Sequence, residues 1–127
     1  MKIILSILII ISCLAMKNID IQKINGRSSN YLDSASMAED QVGAWIDISQ
    51  MDKYSFQSTW IGSPQGDVII EESNDASYSV IVSTVEASAS TISIVHRIDI
   101  PVKYTRLRYD SSSGSGSMTT KFFSKGP

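Results

Sequence analysis

Tyr54-Ser-Phe-Gln-Ser-Thr-Trp-Ile-Gly-Ser-Pro-Gln-Gly66 decides how this chain is read. Tyr54, Phe56, Ser58 and Trp60 fall on one face of an extended segment, and Ser55, Gln57 and Thr59 on the other. That is the period-two alternation of a half-buried β-strand. Gly62-Ser-Pro-Gln-Gly66 follows with the residues of a hairpin turn, because proline presets φ and glycine supplies positive φ. Asp67-Val-Ile-Ile-Glu-Glu-Ser73 then reads as the return strand. The C-terminal part repeats the theme. Val102 to Tyr109 is a strand, Asp110-Ser-Ser-Ser-Gly-Ser-Gly-Ser117 a flexible hairpin turn, and Met118 to Ser124 the closing strand.

Further strands are expected at Asn18 to Ile24, Ala44 to Ser49, Tyr78 to Ser83 and Thr91 to Ile100, the last broken by Pro101. Gly26 to Asp33 is polar and turn-rich, and Met37 to Gly43 is a loop with room for one helical turn. No segment past Met16 shows a helical period. The pattern predicts an all-β fold, an antiparallel β-sandwich or jelly roll of about eight strands with an apolar N-terminal segment. At 127 residues the chain suits one domain, expected over 17–127 after an N-terminal segment over 1–16.

Charged residues make up 19% of the chain, below the roughly 25% usual for soluble domains. The net charge of −2 excludes sequence-independent nucleic-acid binding, which needs a basic footprint. Cys13 is the one cysteine, so neither an intramolecular disulfide nor a zinc site built on cysteine pairs is possible. His96 is the one histidine. It lies on a face with Ile92, Ile94 and Ile98 and reads as an edge-of-core or interface residue. The chain has no nucleophile elbow, phosphate-binding loop, zinc-protease helix motif or EF-hand loop. No catalytic, cofactor-binding or metal-binding residue is assigned.

An apolar run from Ile3 to Met16 lies between Lys2 and Lys17. Four readings of it stand open. As a signal peptide, it carries a lipobox-like Ile10-Ile-Ser-Cys13, with lipidation at Cys13. As a membrane helix, it falls short of the about 20 residues that a crossing needs. Its isoleucines also suit a buried arm or strand. Finally, a folded domain could begin at Met16, leaving the run outside it.

Asp67, Glu71, Glu72, Asn74 and Asp75 read as a solvated acidic face, since their spacing matches no calcium loop. Arg97, Lys103, Arg106 and Arg108 put positive charge on the late strands. Two uses stand side by side: a subunit contact with the acidic segment, or cross-strand pairing within the sheet at about 0.2–1 kcal/mol per pair. Arg106 and Arg108 share a face with Val102 and Tyr104, so Val102 to Tyr109 reads as an edge or interface strand. Trp45, Trp60, Tyr104, Tyr109, Phe122 and Phe123 read as core or subunit-interface aromatics rather than a carbohydrate platform. Phe122-Phe123 points one ring to each face and is the leading candidate for a subunit contact. The candidate interface set is Trp45, Trp60, Arg106, Arg108, Phe122 and Phe123.

The strand Tyr54 to Trp60, the turn Gly62-Ser-Pro-Gln-Gly66 and Glu72-Ser-Asn-Asp75 together resemble a pattern of small tailed-bacteriophage virion proteins of β-sandwich type. Ala44 to Tyr54 resembles the strand before it. Tyr104-Thr-Arg-Leu-Arg-Tyr109, the Ser-Gly-Ser-Gly turn and Met118 to Ser124 resemble its C-terminal half. The likeness runs over residues 42–125, with Ala76 where the pattern has glycine. It implies a non-enzymatic virion subunit without cofactor, decorating the capsid, forming a head fibre or belonging to the tail. The implied partners are other virion proteins, copies of itself and a host surface glycan, with membrane contact only through residues 1–16. The alternative is a secreted or lipid-anchored bacterial β-sandwich module for binding or adhesion, in the envelope or outside the cell.

Overall fold

A computed structural model of the chain describes residues 29–89, 92–98 and 102–126, with seven strands among them. They are β1 (Ser29–Ser36), β2 (Gln41–Val42), β3 (Ile46–Asp47), β4 (Lys53–Ser73), β5 (Val80–Ala87), β6 (Ile92–Ile98) and β7 (Tyr104–Lys125). The apolar run, Cys13 and the expected strand Asn18 to Ile24 lie outside the described residues.

β4 and β7 pair antiparallel from Lys53↔Lys125 to Ser73↔Tyr104. β6 covers the free edge of β4 over its first half, and β5 covers it over the second. β1 lies against the last part of β7, and β2 and β3 lie against its first part. The long pair is not straight. Tyr54 and Glu72 are 18 positions apart on one strand, a span of about 60 Å if fully extended. Yet Tyr54 Oη donates to Glu72 Oε1 at 2.8 Å. The ribbon therefore folds over near its middle, and its halves face each other as two layers of an antiparallel sandwich.

This corrects two expectations. Tyr54 to Ile61 and Asp67 to Ser73 do not pair as a hairpin; they are successive halves of β4. Asp110 to Ser117 is likewise no hairpin loop but the matching bend of β7, paired Gly62↔Gly116, Ser63↔Ser115 and Pro64↔Gly114. The turn chemistry was read at the right places, but it bends a continuous ladder instead of ending one. Gly62 and Gly114 sit at φ 97° and 81°, where other residues are strained. A register shift after Gln65 leaves Ser112 without an opposite residue, and such a bulge sharpens the bend. The strand Val102 to Tyr109 is also no edge: as the start of β7 it lies between β4 and the short strands β2 and β3.

The inner faces carry the core. Tyr54, Phe56, Trp60, Met118 and Phe122 come from one layer, and Val68, Ile70, Ala87, Leu107 and Tyr109 from the other. Ile46 and Ile48 close one side, and Met37 packs into the same core. Phe56 contacts Tyr31, Tyr54 and Phe122 with ring centroids 5.1–5.7 Å apart. β1 was not expected from Ser29-Asn-Tyr-Leu-Asp-Ser-Ala-Ser36, which lacks a run of strand-forming residues. It exists because β7 offers an open edge and Tyr31 is buried in the core, so tertiary pairing overrides propensity.

Gly114→Ala places a Cβ 2.2 Å from the Ser63 carbonyl oxygen at a positive φ. It is expected to cost about 2 kcal/mol or more, against about 0.5 kcal/mol or less for Ser112→Ala. Urea denaturation of the two variants checks this; equal midpoints would contradict the fold-over.

Candidate interaction surface

Glu71, Glu72, Arg97, Arg106, Arg108 and Asp110 are spent on the chain's own sheet. On the outer face of the second layer, Arg106 stands opposite Glu71 across the β4–β7 ladder. Arg106 Nε donates to Glu71 Oε2 at 2.6 Å, and Arg108 Nε to Glu71 Oε1 at 3.0 Å. Arg108 also pairs with Asp110. The Arg106 guanidinium lies 4.3 Å from the ring centre of Trp45, so the cation covers that ring. Burial alone would raise the Glu71 pKa, but the hydrogen bonds from Arg106 and Arg108 outweigh it and hold the carboxyl below its usual value.

A second cluster closes the open end of the sandwich from inside. Glu72 accepts from Tyr54 Oη, from Arg97 Nε at 3.0 Å and from Arg97 Nη2 at 3.2 Å. Thr105 Oγ1 lies 3.0 Å from Tyr54 Oη. Burial drives the Tyr54 phenol well above its usual pKa, so it stays protonated and donates. Glu71 and Glu72 are each 5% exposed. They form no solvated acidic face, and the arginines that sequence reasoning offered to a neighbouring subunit are paired within the sheet. Among the described residues no group of three or more His, Cys, Asp and Glu is placed to hold a metal ion.

Of the candidate interface residues, Trp60 and Phe122 lie in the core, and Trp60 Nε1 donates to the Ser88 carbonyl. Trp45 is buried beneath Arg106, and Arg106 and Arg108 are bound to Glu71. Tyr109 is buried and Tyr104 half-buried. The register places His96 opposite Ser55, on the outer strand β6. Phe123 is 47% exposed.

Other exposed apolar residues escaped the sequence reading. Ile61 is 72% exposed at the fold-over, and Tyr78, Val80 and Ile81 stand out at the start of β5. The apolar run Val80-Ile-Val82 looks like that of a buried strand, so only the position of β5 at the sheet edge reveals them. The loop that presents Tyr78 is stiff. Asp75 Oδ1 accepts from the backbone N–H groups of Ser77 and Tyr78, and Ser73 Oγ donates to the Tyr78 carbonyl. Those backbone donors, Tyr78 first, lower the Asp75 pKa. Beside Tyr78 a shallow groove of 410 Å³ runs along Glu72, Val80, Val82 and Val102.

No protein-family model and no curated protein sequence matches this chain. Its architecture, however, recurs in solved structures. The SPBc2 prophage-derived protein YomS superposes with a TM-score of 0.55 at 7% identity, over 80% of this chain and 94% of that one. The PBSX exported protein XepA superposes with a TM-score of 0.64 at 13% identity, over 85% of this chain. The same fold thus occurs in a prophage-derived protein and in an exported protein. The chain corresponds to 40% of the length of XepA and to nearly the whole of YomS.

Two expectations follow from the placements. Phe122→Ala should cost about 3–5 kcal/mol and Phe123→Ala about 0.5 kcal/mol or less, measured by thermal unfolding. Glu71→Gln should cost about 2–3 kcal/mol near neutral pH, because it leaves Arg106 without a carboxylate and Arg108 with Asp110 alone. The folded pKa of Glu71 lies below the unfolded value of about 4.5. The stabilisation is therefore complete above that pH and is lost as pH falls through the depressed folded value. Unfolding curves of both proteins should converge in acid; a gap that persists unchanged there would refute the assignment.

Proposed function

We propose that this chain is a non-enzymatic structural subunit of a phage or prophage particle, acting through surface contacts. The observation that carries this is the match with YomS, a prophage-derived protein, over 94% of that protein and 80% of this chain. The side-chain chemistry agrees. Glu71, Glu72, Arg97, Arg106 and Arg108 are committed to pairs that hold the sheet. Ile61, Tyr78, Val80, Ile81 and Phe123 are large apolar side chains on the exposed surface, and aromatic and apolar side chains suit the centre of a docking patch. The subunit sits on a capsid or tail among other virion proteins and copies of itself, with the rigidly held Tyr78 and its groove on the side open to a host surface.

A second reading draws on XepA, which is described as exported. In it the sandwich works as a secreted or lipid-anchored binding module, with residues 1–16 as its export or anchoring segment.

Peptide mass spectrometry on density-purified particles from the source strain distinguishes the two. The structural reading expects the chain in many copies per particle, with peptides from residues 1–16 present. Its absence from particles, together with a mature chain beginning at a lipidated Cys13 in the envelope fraction, would replace the first reading by the second.

A further inference from the structure

Once the internal ion pairs are set aside, the remaining charge is unevenly placed. On the outer face of the first layer Lys53 stands directly opposite Lys125 across the β4–β7 ladder. Lys121 and Phe123 continue that face along β7, in the same alternation that buries Phe122 and Ser124. On the outer face of the second layer Asp67 stands opposite Asp110 on one side and Glu86 on the other. Three carboxylates thus form one row across β5, β4 and β7. Like charges directly opposite each other destabilise a sheet, so each row carries a local cost, which within the acidic row is offset only at Asp110, by Arg108.

None of Lys53, Lys121, Lys125, Asp67 and Glu86 makes an ion pair among the described residues. Asp110 is engaged by Arg108. Asp52 lies next to the basic row, its N–H bonded to the Lys125 carbonyl, without an ion pair to either lysine. Because the ribbon folds over, the two outer faces look in opposite directions. One is basic around a 47% exposed phenylalanine; the other is acidic.

We propose that copies of this chain associate head to tail, the basic outer face around Phe123 of one copy docking on the Glu86–Asp67–Asp110 row of the next. A two-fold contact through either face would set like charges against like, so the contact is heterologous and builds a ring or an open stack. Phe123 supplies the apolar anchor inside a charged rim, and the opposed charges set orientation and encounter rate. The inference builds on the reading of the chain as an assembly subunit and names the subunit's partner as another copy of itself.

Sedimentation velocity of the full-length chain and two charge-swapped variants tests it. Lys121→Glu with Lys125→Glu makes both faces acidic, and Asp67→Lys with Glu86→Lys makes both basic. These exposed or half-exposed positions should leave the melting transition near that of the parent. The parent should self-associate, about tenfold more weakly when salt rises from low to several times physiological concentration. Each variant alone should stay monomeric, and an equimolar mixture of the two should associate again. A monomeric parent, variants that associate like the parent, or a mixture that stays monomeric would each overturn the contact. Association driven by the apolar residues 3–16 would show as variants that associate and a salt dependence that is flat or inverted. If the chain is missing from particles while the mixture still associates, the particle reading falls and this contact stands.

Discussion

Strands β4 and β7, 21 and 22 residues long, pair along their whole lengths, and every other described strand attaches to one of their two free edges. A straight ribbon of that length would expose one apolar face to water along its entire span. Folding it over at Gly62–Gly66 and Ser111–Ser117 brings Tyr54, Phe56 and Phe122 against Val68, Ile70 and Leu107, and a single bend creates the core. The bend is possible because the glycines of both strands meet there, so that two backbones lie closer than side chains would allow: a Cβ on Gly116 would stand 2.4 Å from the Ile61 carbonyl oxygen. The short strands then add edges to a shape already set.

The same fold-over sorts the charges. It joins the two ends of the ribbon, so Glu72 meets Tyr54 and Arg97 although they belong to different layers. This cluster works as a clasp at the open end, opposite the bend. Partly buried arginines beside Glu71 do a similar job on the outside of the second layer, where Trp45 and Arg106 seal the sheet from water. A buried carboxylate without such partners would be costly. The lysines at the outer end of the first layer have no comparable partners, and their flexible, strongly hydrated side chains are suited to an exposed rim.

The ionisable groups held inside the sandwich serve cohesion. What is left for partners is a stiff tyrosine-bearing loop, an apolar strand edge and two oppositely charged faces.

The sequence alone determined the class of fold and the inward residues of its strongest segments. Tyr54, Phe56, Ser58 and Trp60 alternate with polar neighbours, and a buried face enforces that period whatever the topology. It also located both bends, because proline, glycine and serine clusters mark the places where backbone direction changes. Whether a bend ends a strand pair or merely folds one was beyond it, since Gly62-Ser-Pro-Gln-Gly66 suits either and the choice depends on a partner 45 to 54 positions away. For the same reason β1 was missed: its weak local preference is overruled by the open edge of β7. The fate of Glu71, Arg106 and Arg108 was legible only as an alternative between neighbours in the sheet and neighbours in an assembly. Register decided it, by setting Glu71 opposite Arg106, and register is a property of the folded ribbon and not of any local stretch of sequence.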